Sequence, residues 1–108
     1  MTETYKNLGQ AKPAAGSLDD AFTCGGIGCV VSSIVVANTG GVSDYFRIAH
    51  AVGGAANNIK QYLYYDIEVV TADTFIATVG ITMAPTDILR VRSSNGLSAF
   101  NFYGTELS

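Results

Sequence analysis

Two cysteines, one histidine and a few paired acids are the residues with chemical potential in this sequence. Cys24 and Cys29 flank Gly25-Gly26-Ile27-Gly28. If the segments on either side pair across that turn, the two thiols sit opposite each other and can close a disulfide. A loop this short gives about 2 kcal/mol in the chain-entropy treatment. Two reduced, half-buried thiols are the alternative, as is usual in a reducing cytoplasm. A zinc site is not expected, because four residues separate the cysteines and His50 is the single histidine. The Gly25–Gly28 run lacks the Lys, the Ser/Thr and the following helix of a phosphate-binding loop. His50 has no local nucleophile or orienting acid and reads as a surface or loop-edge histidine. Asp66 and Glu68 share a strand face, and Asp19 and Asp20 are adjacent. Neither pair fits a calcium loop, and both read as solvated edge charges that discourage aggregation. No catalytic, metal or cofactor site is assembled, and an enzyme is not expected.

The elements that carry these residues are strands. Cys29–Asn38 is rich in β-branched residues and apolar on both alternating faces. Val30, Ile34 and Val36 fall on one face, and Val31, Val35 and Ala37 on the other. Such a strand belongs in the middle of a sandwich or at a subunit interface. Around it, strands are expected at Ser17–Cys24, Val42–His50, Ile59–Val69, Thr74–Met83, Ile88–Ser93 and Leu97 to about Leu107. In Val42–His50, Phe46 and Ile48 share a face with Asp44. In Ile59–Val69, Ile59, Leu63, Tyr65 and Ile67 are expected inside, opposite Tyr62 and Tyr64. Thr74–Met83 alternates most clearly, with Phe75, Ala77, Val79, Ile81 and Met83 on one side. Asn95-Gly96 reads as a type I′ hairpin turn. Residues 1–16 have no period and contain Pro13. They read as a frayed terminus or as an extended arm that orders on a neighbouring subunit, anchored by Tyr5 and Leu8.

The expected fold is therefore all-β: a single antiparallel β-sandwich of seven or eight strands, jelly-roll-like or immunoglobulin-like. The extended N-terminal arm is residues 1–16 and the β-sandwich domain residues 17–108. Only 14% of the residues are charged, against about 25% in an average domain. Much of the surface must then be Thr, Ser, Asn, Gly and Tyr, which suits close packing against protein. A net charge of -3 lacks the basic footprint of a nucleic-acid binder. No apolar run approaches the span of a bilayer. Nor is there a basic start joined to an apolar run and cleavage site, so synthesis in a cytoplasm is expected. Tyr45, Tyr62, Tyr64 and Tyr103 fall on expected outward faces, with Arg47, Arg90, Arg92, Thr78 and Thr82 as neighbours. Tyr and Arg combine apolar area with a polar tip, so this set is the expected interface. Glycan stacking on the same tyrosines is a further possibility from another functional class, and the absence of Trp counts against it.

A series of segments carries a family resemblance. These are Leu8-Gly9-Gln10, Val30–Asn38, Phe46-Arg47-Ile48, Gln61–Asp66, Asp73–Thr82 and the closing Leu97–Leu107. In this order and spacing they resemble small virion structural proteins of tailed bacteriophages. The turn that often reads Val-Pro-Ala-Gly-Thr in such proteins is here Cys24-Gly-Gly-Ile-Gly-Cys29. The resemblance implies a β-sandwich subunit of the virion, made in the host bacterial cytoplasm. Its expected role is capsid decoration or cementing, bridging major capsid proteins as a homo-oligomer, with a trimer favoured. A collar, tail or fibre-attachment component is the alternative place. The resemblance supplies no catalytic residue.

Overall fold

Segments of alternating polarity become strands. The computed structural model describes residues 1–108 and contains eight strands and no α-helix. These are β1 (Glu3–Ala11), β2 (Leu18–Thr23), β3 (Gly28–Asn38), β4 (Asp44–Ala51), β5 (Tyr62–Val69), β6 (Thr74–Met83), β7 (Ile88–Ser93) and β8 (Ser98–Leu107). Two short 3-10 turns, Val52–Gly54 and Ile59–Gln61, lie between β4 and β5. Asn58 caps the second, accepting from the Lys60 N–H at 3.1 Å.

Two four-stranded sheets form, ordered β1-β8-β3-β6 and β2-β7-β4-β5. They are called here the first and the second sheet. Every strand pairing is antiparallel. β1 lies beside β8, β2 beside β7, β3 beside β6 and β4 beside β5. This nesting is a long antiparallel ribbon rolled into a sandwich, the jelly-roll topology. It decides between the two expected sandwiches. It also means that only the β4–β5 connection joins neighbours within a sheet. The other six connections cross between sheets.

Two expected turns are changed by that crossing. β7 and β8 lie in different sheets, so Asn95-Gly96 is not a hairpin. Only Gly96 takes a left-handed φ, at +71°, whereas a type I′ turn needs both residues there. The Cys24–Cys29 turn likewise links β2 to β3 across the sandwich. The cysteines are nevertheless disulfide-bonded, with Cα atoms 5.9 Å apart and both residues buried. The bond therefore staples one sheet to the other at one end. Reduction, or Cys24→Ser with Cys29→Ser, is expected to lower stability by about 2 kcal/mol. Urea midpoints with and without reductant check this.

The core gathers the inward positions of both sheets. Phe46, Ile48, Leu89, Val91, Phe100 and Phe102 are buried as the alternation predicts. β3 departs from its expected faces. Val31 pairs with Gly104 and Ser33 with Tyr103, leaving Ser32 unmatched in a bulge. One extra residue inverts the pleat. Val31, Ile34 and Val36 therefore all lie at 0% exposure, and Val30 turns out. Gly104 belongs to this bulge, since a Cβ there would stand 2.0 Å from the Val30 carbonyl oxygen.

β5 is corrected in the same way. Phe46 pairs with Ile67 and Ile48 with Tyr64, so Tyr65 and Asp66 together face Arg47. Asp66 takes a left-handed φ of +53°. Tyr64 consequently packs inward, its ring 5.5 Å from Phe75 and 6.1 Å from Phe46. Leu63 and Tyr65 are exposed instead.

Residues 3–11 form an extended strand, and its partner is the same chain. β1 pairs with β8 from Glu3↔Leu107 to Ala11↔Phe100. Leu8 sits in the bulge of this ladder and packs on the core. Pro13 is fully buried. The segment is thus an edge strand of the sandwich, not a detached arm.

Candidate functional site: two sheet faces of unlike charge

Alternation along the first sheet sends Asn7 and Gln10 of β1, Asn101 and Tyr103 of β8, Val35 of β3 and Thr78 of β6 outward. The outward positions of β8, β3 and β6 carry no charge; the one charge on these strands, Glu106 near the end of β8, is ion-paired with Lys6 of β1 at 3.0 Å. Asn101 accepts from Asn7 at 3.1 Å and Gln10 at 2.7 Å, so side-chain amides satisfy one another there. Tyr5 lies at the β1 corner, donating to Glu3 at 3.2 Å. Ile76 of β6 is 69% exposed.

The second sheet is the opposite. Arg47 donates to both carboxylate oxygens of Asp66, at 2.6 and 3.2 Å. Its guanidinium lies 4.0 Å over the Tyr65 ring and 5.9 Å from that of Tyr62. The β5 bulge makes this clamp, because it puts a ring and a carboxylate opposite one arginine. The Asp66 hydrogen bond raises the Arg47 pKa, and the Arg47 bond holds the Asp66 carboxyl below its ordinary value. Arg90 donates to Asp20 at 2.9 Å and to the carbonyls of Ala55 and Gly54. Arg92 pairs across strands with Arg47 and Leu18. Tyr45 donates to Glu68 at 3.3 Å, and the Glu68 charge pushes that phenol up.

The expected interface is therefore divided. Tyr5 and Tyr103 belong to the uncharged face. Tyr45, Arg47, Tyr62, Arg90 and Arg92 belong to the charged one, and Leu8 and Tyr64 to the core. Thr78 and Thr82 neighbour none of the arginines, because they lie on the opposite sheet. Arg47 and Arg90 are already matched to carboxylates and carbonyls of their own chain. The two outer faces point away from each other, so no single flat partner touches both.

A polar knot that no local sequence motif announces lies inside the sandwich. Asp44 is fully buried at the start of β4. It accepts from the Ser93, Ser94 and Ser98 hydroxyls and from the N–H groups of Tyr45 and Asn95. Burial by itself raises the carboxyl, but the bonds from Ser93, Ser98, Asn95 and Ser94 outweigh it and hold the group far below the carboxylate range. The Ser93 hydroxyl oxygen in turn accepts from the Leu97 and Ser98 N–H groups. Asp44 thus fastens the β7–β8 crossing to β4. The signal was present in the sequence: an acid on the same strand face as Phe46 and Ile48.

His50 is partnered rather than free at the surface. Its Nε2 lies 2.8 Å from Asp87 Oδ2. Asp87, buried in the β6–β7 turn, also accepts from the N–H groups of Gly53 at 2.8 Å and Ala84 at 3.1 Å. Burial raises the Asp87 carboxyl, but the Gly53, His50 and Ala84 bonds outweigh it and lower the pKa. His50 borders a concavity of about 390 Å³ with Val52, Ala55, Lys60 and Gln61. The orienting acid missing from the local sequence comes from 37 residues away, but no Ser, Thr or Cys lines the concavity. The His50–Asp87 pair, with the Gly53 N–H, ties the β4–β5 loop to the β6–β7 turn. No three His, Cys, Asp or Glu side chains group as a metal set.

Comparison of the chain with protein-family models, with curated proteins and with solved structures finds no match.

Proposed function

We propose that this chain is a structural subunit of a bacteriophage particle, decorating or cementing the head as a homo-oligomer bound to major capsid proteins. The observation that carries the reading is the asymmetry of the sandwich. One outer face is rich in charged side chains, while the outward positions of β8, β3 and β6 offer Thr, Asn, Tyr, Val and Ile, with the Lys6–Glu106 pair confined to one end of that sheet. Such a face costs little to desolvate, because no ion must be stripped of water. Each contact is weak, but many copies on a lattice add by multivalency. The resemblance of the ordered segments to small virion proteins is what names the class proposed. The jelly roll, a fold that viral capsid domains also use, supports it by analogy only.

Purified particles test the reading. Decoration of a lattice calls for on the order of hundreds of copies per particle, whereas a collar or tail ring calls for about a dozen. Densitometry of particle proteins measures this, and absence of the chain from particles refutes the proposal. Tyr103→Glu, which puts a charge on the uncharged face, is expected to leave a folded domain and to cut particle binding at least tenfold in a co-sedimentation assay. Undiminished binding by that variant would move the contact to another surface.

A further inference from the structure

A sandwich of two open sheets has four edge strands, here β1, β6, β2 and β5. An edge strand carries a row of unpaired N–H and C=O groups that another strand can take up, and charges on the edge are the usual safeguard. β1 carries Glu3 and Lys6, β2 carries Asp19 and Asp20, and β5 carries Asp66 and Glu68. β6 is different. Thr74–Met83 is ten residues without a charge or a proline. Its one irregularity is at Val79-Gly80, where the register with β3 shifts. From Thr74 to Thr78 the strand is regular, pairing with Ala37 to Ser33 without a break. In the middle of that stretch stands Ile76, 69% exposed.

We propose that β6 pairs antiparallel with β6 of a second copy of this chain, in a register centred on Ile76. The sequence is complementary to itself in that register. Ile76 faces its own copy, so two exposed apolar side chains bury each other. Thr74 falls opposite Thr78 on both sides of the axis, a favourable cross-strand pair. On the core-facing side, Phe75 falls opposite Ala77, large against small. No charges meet in this register, whereas each of the other three edges carries charges that a second copy must accommodate. The bulge at Val79-Gly80 ends the ladder and fixes its length. The contact is isologous and closes at two copies. The trimer expected from the sequence would need a different surface. Joining the two copies makes one eight-stranded sheet and doubles the uncharged face. The inference stands on the edge itself and holds whether or not the chain belongs to a particle.

Five paired residues bury less than the area of a stable dimer, so association is concentration-dependent. In sedimentation equilibrium of the isolated protein, the mass should rise from the 11.3 kDa chain toward twice that value between micromolar and millimolar concentration. Ile76→Lys should stay monomeric throughout, with unchanged circular dichroism because the side chain is exposed. Ile76→Val should still associate. Under mild oxidation Ile76→Cys should cross-link two chains, since directly opposed residues bring Cα atoms within disulfide range. A wild-type chain that is monomeric to millimolar concentration overturns the proposal, as does a dimer that survives Ile76→Lys. Cross-linking through Thr78→Cys but not Ile76→Cys overturns the register. Protection of β6 amides from exchange only when capsid is added would give the edge to a foreign strand and likewise overturn self-pairing.

Discussion

Asp44→Asn is expected to destabilise the fold by about 3 kcal/mol or more, a loss few single substitutions reach. Five donors converge on this buried carboxylate. An amide at the same place accepts at one atom only and turns N–H donors toward hydroxyl and backbone donors. Bonds to a charged acceptor contribute more than neutral ones, and the groups left behind are buried without partners. Urea unfolding of the two proteins measures the difference. A second signature is acid sensitivity. In the unfolded chain Asp44 titrates near 4. In the folded chain it titrates far lower. Between those values only the unfolded state binds the proton. Stability is therefore complete above about pH 4 and falls as the pH drops toward the folded value. Asp87 and Asp66, also depressed, add slope of the same sign. Asp44→Asn should flatten the acid limb of a stability-versus-pH curve. An unchanged acid limb would mean that Asp44 is not the group that titrates.

Removing residues 1–12 is expected to abolish cooperative folding rather than to release a functional arm. The deletion strips β1 from β8 along the whole Glu3–Ala11 ladder. It removes Leu8 and Ala11 from the core and uncovers the Phe22–Phe102 contact, where the rings stand 5.7 Å apart. A domain of this size holds a margin of about 5–15 kcal/mol, and losing an edge strand with its packing takes a large part of it. Loss of the thermal transition, followed by circular dichroism, checks this. A truncated chain that melts cooperatively near the parent temperature would show that β1 is dispensable. Consequently, failure of such a truncation to bind particles reports on folding and not on an arm. The Tyr103→Glu variant separates the two questions.

The period-two pattern was legible because a strand half-buried in a sandwich imprints it directly. Thr74–Met83 and Ile88–Ser93 are bounded as their alternation predicts, and the phenylalanines at 46, 100 and 102 are core residues for the same reason. Alternation says which residues share a side, but only until a bulge adds one. Ser32 in β3 and the Tyr65-Asp66 pair in β5 each reset the phase. On the bulged strands themselves no glycine or proline stands at either place to announce it, so Tyr64 and Tyr65 exchanged their expected places.

The sequence alone determined a sparsely charged all-β chain of seven or eight strands, because composition and local period are properties of neighbouring residues. Which strands meet was decided by tertiary structure. In a rolled ribbon, six of the seven connections cross between sheets, and turn chemistry such as Asn95-Gly96 is the same whether the next strand pairs or crosses. The same long-range pairing turned residues 3–11 from a free arm into β1. It sorted the tyrosines and arginines onto opposite faces and brought Ser93, Ser94 and Ser98 around Asp44. Distances between residues some fifty positions apart depend on how the sheets stack, and no local pattern carries that information.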